Sequence, residues 1–180
     1  LFDKISSSSS EVSGAIYMPE EPKDENYDQN KEMVFKFNDL EYKGSFLALR
    51  IEGDKISIDE KLKALTIELE LSKLNTTVLD VHQSTPFWKK INNLEVFKLT
   101  KNNLLRVVVP PSKGPKLMQF LGNKYKYYID WCGSLYWIEV QSKKNTKVGE
   151  IKNLIKELGG YLTVIKTSNE YDYEETIFTV

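Results

Sequence analysis

An α+β fold, with a mainly antiparallel sheet and helices packed on one of its faces, is predicted by three features of this 180-residue sequence. The segment from Leu104 to Lys166 alternates strand-like and helix-like stretches in the order βαββαβ, the ferredoxin-like order. Its strands are short, aliphatic or aromatic, and read 104–109, 125–130, 135–140 and 161–166, with helices at about 113–121 and 148–158. The second helix turns Val148, Ile151, Leu154, Ile155 and Leu158 to one side, and Gly159 supplies its left-handed stop.

The N-terminal half extends the same plan. Serines 6–10 read as a solvated linker, because hydroxyls compete for backbone hydrogen bonds. A strand follows over Val12–Met18. Residues 19–32 are acidic and nearly devoid of aliphatics, which predicts an exposed loop. Residues 33–37 alternate and are expected to pair with 46–51 as a hairpin. Ser57 and Glu60 have capping-box spacing ahead of a helix that aligns Ile58, Leu62, Leu65 and Leu69 and ends near Leu74. The β-branched run 76–81 predicts a strand. Thr85-Pro86 then reads as the start of a helix with Phe87, Ile91 and Leu94 on its apolar side.

Composition bounds the function. The length suits one domain with a real core, and 41% hydrophobic with 28% charged residues is ordinary for a globular chain. A net charge of −1 gives no global field toward nucleic acid or an acidic membrane. One cysteine, Cys132, excludes an internal disulfide. No apolar run approaches the roughly 20 residues of a membrane helix.

Several segments resemble one family. Arg106-Val107-Val108-Val109-Pro110-Pro111, then Ile129-Asp130-Trp131-Cys132-Gly133, then Trp137, is similar to the Arg-x-x-x-Pro-Pro, Ile-Asp-Trp-Gly-Gly and second Trp of the FAD-binding small subunit of bacterial glycolate oxidase, a FAD-linked oxidase. Cys132 departs from that pattern, standing where the family commonly has glycine. Upstream, Glu11–Ala15 resembles the strand that opens the family's cap domain, Leu49–Gly53 its Arg-Leu-Glu-Gly strand end, and Phe87-Trp88 its Phe-Trp helix start. Downstream, Leu158–Thr163 resembles a Gly-Gly-His-Ala-Thr segment, with Tyr161 in place of the histidine.

The resemblance implies a single cap (substrate) domain over residues 1–180, with the flavin-binding domain and a C-terminal closing segment outside the chain. It implies a FAD-dependent parent acting on 2-hydroxy acids, sister oxidase subunits and an iron-sulfur subunit as partners, and a cytoplasmic site, peripheral at the inner membrane through those partners. FAD is expected in the parent and not on this chain, because the pyrophosphate requires a Gly-rich loop and the adjacent glycines here, Gly159-Gly160, end a helix.

Flavin carries the redox step in such proteins, so the protein contributes binding, orientation and electrostatics. The single histidine, His82, has no clustered carboxylate or cysteine, so no metal site and no catalytic residue is assigned. The residues assigned to a flavin- or substrate-facing wall are Arg106, Trp131 and Gly133. Arg106, a guanidinium inside an apolar strand, serves either as a carboxylate or flavin clamp or as an ion-pair partner on the sheet's open face; Arg50 has the same two readings. Trp131 and Trp137 line a pocket or pack in the core. Gly133 permits positive φ or close approach of a ligand. Cys132 has no basic sequence neighbour to activate it. A stand-alone ferredoxin-like module that binds a small ligand or a protein is the alternative function. An RNA-binding domain would need a basic stripe and aromatic motifs that are missing.

Overall fold

The computed structural model describes residues 2–20, 35–37, 40–42, 44–97, 102–141, 145–166 and 178–179. Its strands are β1 (Gly14–Met18), β2 (Phe35–Phe37), β3 (Leu40–Tyr42), β4 (Phe46–Arg50), β5 (Asn103–Val108), β6 (Lys126–Asp130), β7 (Leu135–Val140), β8 (Tyr161–Lys166) and β9 (Phe178–Thr179). The helices are α1 (Phe2–Ser6), α2 (Lys55–Glu68), α3 (Val81–Asn92), α4 (Gly114–Leu121) and α5 (Asn145–Glu157). Seven strands form one sheet in the order β4-β1-β6-β7-β5-β8-β9, and β2 pairs with β3 apart from it. Every pairing is antiparallel. The fold is therefore α+β around an antiparallel sheet, as the sequence predicts.

Strand alternation divides the apolar side chains between two faces. On one face Leu105, Val107, Tyr127, Ile129, Tyr136 and Ile138 pack beneath Leu117 and Leu121 of α4 and Ile151 and Ile155 of α5. Helix α2 covers the same face farther out, where Leu65 meets Ala15, Leu47 and Leu49. The opposite face is covered over β4, β1 and β6 by α3: Phe87, Trp88 and Ile91 pack on Ile16, Met18 and Tyr128. The buried Tyr128 hydroxyl donates to the Ile91 carbonyl at 3.3 Å, which satisfies its polar end. Beyond α3 this face lies open along β5 and β8, where Tyr161 is 58% and Ile165 46% exposed.

The C-terminal elements fall within a residue or two of expectation, α5 starting three residues early. Val107 pairs with Leu162 and α4 shares a face with α5, as the βαββαβ pattern requires. The N-terminal half needs several corrections. Residues 46–50 pair with β1, not with 33–37; residues 35–37 pair instead with 40–42. Residues 76–81 form no strand. Val78 and Val81 are exposed, and β propensity without a neighbouring ladder builds nothing. Helix α3 begins at Val81 because Asp80 accepts from the Gln83 N–H at 2.9 Å and Gln83 reaches back to Asp80 N, a complete capping box. Pro86 consequently sits inside the helix, and His82 belongs to its exposed first turn rather than to a strand end. Helix α2 likewise starts earlier, capped by Asp54 accepting from Ser57 N at 3.0 Å.

The serine run is only partly solvated. Ile5 of α1 is buried, and Ser10 is 1% exposed with its hydroxyl donating to the Lys61 carbonyl at 3.2 Å. The expected acidic loop lies outside the described residues apart from Pro19 and Glu20.

Two glycines give opposite outcomes for one substitution. A Cβ at Gly160 would stand 2.5 Å from the Val108 carbonyl oxygen and 2.7 Å from Val109 Cγ1, whereas at Gly149 of α5 it would meet nothing within 4 Å. Gly160→Ala should cost about 1–3 kcal/mol by overpacking. Gly149→Ala should add about 0.5–1 kcal/mol through helix propensity. Urea midpoints of the two variants against the parent check both signs.

Candidate functional site

The β6–β7 connection is built against the grain of L-amino acids. Trp131, Cys132 and Gly133 have φ of +49°, +50° and +95° in succession. Only glycine takes that region freely, and an L-residue there costs roughly 1–2 kcal/mol. Gly133 therefore meets its expectation, and Cys132 occupies a backbone position whose geometry favours the glycine of the family pattern. The turn is held from three sides. Asp130 accepts from Trp131 N at 2.7 Å, Val109 N donates to the Ser134 carbonyl at 2.9 Å, and the Phe2 ring lies 3.2 Å from where a Gly133 Cβ would be. Leaving β6 in this conformation, the chain sets out the Trp131 indole 58% exposed.

On one side of that indole stands Arg106, its Cζ 5.3 Å from the ring centroid. Arg106 lies between Trp137 of β7 and Thr163 of β8 in register, half-buried on the open part of the sheet face. Among the described residues no carboxylate forms an ion pair with it; the indole face is its partner, a cation–π contact. Arg50, by contrast, pairs with Glu52 at 2.7 Å.

Trp131 also lines a cleft of about 220 Å³. Its lining includes Gly14, Arg50, Trp88, Asp130, Trp131 and Cys132, with Asn92 at the end of α3. Gly14 is what makes room. A Cβ there would stand 3.3 Å from both Arg50 Cβ and Trp88 Cη2, so the α3 indole closes directly on bare backbone. The Asp130 carboxyl is held above its usual range by burial, against the lowering effect of the Trp131 N–H. Burial, with the Asp130 charge second, also pushes the Cys132 thiol up, so the neutral thiol prevails at neutral pH.

The structure thus brings Arg106 and Trp131 together, whereas Gly133 sits behind the turn under Phe2 and lines neither side. Trp137 is half-buried and packs with the α3 cluster. His82 does not line the cleft. Trp88, Asp130 and Asn92 were not singled out for a site by sequence reasoning; the available signal was Gly14, a glycine within a strand. Among the described residues no group of three or more His, Cys, Asp or Glu side chains could hold a metal, and no helix is long and apolar enough to cross a membrane. No protein-family model, curated protein or solved structure matches the chain.

Two outcomes follow from this geometry. Cys132→Val, which puts a β-branched residue at φ +50°, should be less stable than Cys132→Gly by at least about 1–2 kcal/mol in urea denaturation. The raised Asp130 pKa means that, between the ordinary value of 3.8 and the folded value, the native state holds more protons than the unfolded one. Stability then falls as pH rises through that window. Asp130→Asn keeps the acceptor for Trp131 N and lacks the titration, so its stability relative to the parent should climb from pH 3.8 upward and level off once Asp130 is ionised. Denaturant midpoints across pH 3–8 test the direction.

Proposed function

We propose that this chain is the cap domain of a glycolate oxidase-like FAD-linked oxidoreductase acting on 2-hydroxy acids, in which Arg106 and Trp131 form part of the wall facing flavin or substrate. One observation carries the reading. The segments that resemble the family are scattered over more than a hundred positions of sequence, yet Gly14, Arg50, Trp88 and Asp130–Cys132, from four of them, line one cleft, and Arg106, from a fifth, stacks on Trp131. Motif matches arising by chance have no reason to converge in space.

The spatial order β8-β5-β7-β6, joined in the sequence β5-α4-β6-β7-α5-β8, is that of a ferredoxin-like unit and supports the finer fold assignment within a cap. A cation set over an indole, with no carboxylate paired to it among the described residues, suits an anionic or electron-rich planar ligand. FAD would supply the hydride chemistry; this chain would position and screen one side of it. The sister subunits, the iron-sulfur partner and a cytoplasmic setting at the inner membrane belong to the same proposal.

The stand-alone binding module is favoured by one observation of its own, the open sheet face with Tyr161 and Ile165 exposed. Calorimetry separates the two readings. A cap offers one wall and no pyrophosphate loop, so the 180-residue chain alone should show no micromolar FAD binding, while the longer flavoprotein should be yellow. In that longer protein Arg106→Ala and Trp131→Ala should each lower flavin retention or turnover by about tenfold, the loss of one charge-assisted contact. Unchanged retention and turnover in both variants, or micromolar FAD binding by the chain alone, would overturn the cap reading.

A further inference from the structure

We infer that the cleft behind Trp131 binds a small zwitterion, an α-amino acid, with its carboxylate on Arg50 and its ammonium on Asp130. The two groups carry opposite charge, line the same cleft and do not pair with each other. They stand on β4 and β6, the two neighbours of β1, with Arg50 level with Gly14 and Asp130 about two residues farther along, so their backbones are about 12 Å apart. Gly14, in register with Arg50, carries no side chain, and the Trp88 indole closes on its backbone to form one wall of the cleft.

Each group has capacity to spare. Glu52 engages Arg50 through Nη2, one of several donor nitrogens of a guanidinium. Asp130 accepts from Trp131 N through Oδ1, and among the described residues it has no cationic partner. A half-buried carboxylate without a counter-charge is costly, and a ligand ammonium removes that cost. The indoles of Trp88 and Trp131, both lining the cleft, add aromatic surface that favours a cation.

Size and charge narrow the ligand. A volume of about 220 Å³ falls below the roughly 300–1,000 Å³ of drug-sized sites, which suits a small occupant. A simple anion on Arg50 would be repelled by Asp130, and a simple cation on Asp130 by Arg50. A ligand carrying both charges matches Asp130 and the remaining donors of Arg50 together, whereas a singly charged one matches only one of them. This inference does not depend on the flavoprotein reading.

The test titrates the 180-residue chain with L-alanine, propionate, ethylamine and L-lactate, read by tryptophan fluorescence and calorimetry. L-Alanine should bind saturably, and each singly charged compound at least about tenfold more weakly, the loss of one hydrogen bond to a charged group. Asp130→Asn and Arg50→Gln should each weaken L-alanine by a similar factor with circular dichroism unchanged. If either variant fails to fold, the four-compound series on the unmodified chain decides alone. Propionate or L-lactate binding as tightly as L-alanine would make this an anion site and overturn the inference, as would no saturable binding of any compound. Neither result alters flavin retention by the longer protein, so this inference and the proposed function fail separately.

Discussion

The structure depends on burial of the β6–β7 hairpin from both sides. Tyr127, Ile129, Tyr136 and Ile138 face α4 and α5, while Tyr128 and Trp137 face α3. A hairpin buried on both faces cannot slip in register, because a shift by one residue would send each aromatic to the wrong layer. The register is fixed over five consecutive pairs, from Lys126 opposite Glu139 to Asp130 opposite Leu135. Phenol burial shows how dry this centre is: the Tyr127 hydroxyl is pushed up to about 12, and that of Tyr128 is raised further still.

A fixed register leaves the four residues between the strands no freedom to choose an easier turn. Asp130 and Leu135 are already paired, so the chain must reverse within Trp131–Ser134. It does so through three successive positive φ angles, two of them at residues with a Cβ. Strain of this kind persists only where the surroundings over-determine it. Here they do: the Asp130 carboxylate, the Val109–Ser134 backbone bond and the Phe2 ring hold the turn from different elements. The short α1 helix, invisible as a pattern in the sequence, thereby has a definite task in bracing the turn that displays Trp131.

The C-terminal half was legible because its local signals agree with its tertiary context. Alternation, helical spacing and the Gly159 stop all point one way, and the strands they define find ladders on both sides. Residues 76–81 show the opposite case. Their β-branched character is real, but the Asp80–Gln83 capping box is a stronger local device, and no described strand pairs with that segment. Pairing partners were hidden for a related reason: β4 alternates compatibly with several strands, and it is packing, of α2 on Ala15, Leu47 and Leu49 and of α3 on the opposite face, that goes with its pairing to β1. For the site, residue type was enough to single out Arg106 and Trp131, but not that they touch. Their contact is made between a strand and a turn 25 positions apart (131 minus 106), which no local pattern encodes.

Trp131 stands between two differently charged surroundings, and that placement accounts for why the strain is tolerated. A cation–π contact at an exposed site is worth about 0.5–1 kcal/mol, less than the cost of two left-handed L-residues, so stability alone does not explain the turn. What the turn provides is position. Held as it is, one indole both covers a guanidinium on the open sheet and walls a cleft containing Arg50 and Asp130. A ligand in the cleft that moved the indole would also change its contact with Arg106, because a single ring cannot keep both while it moves.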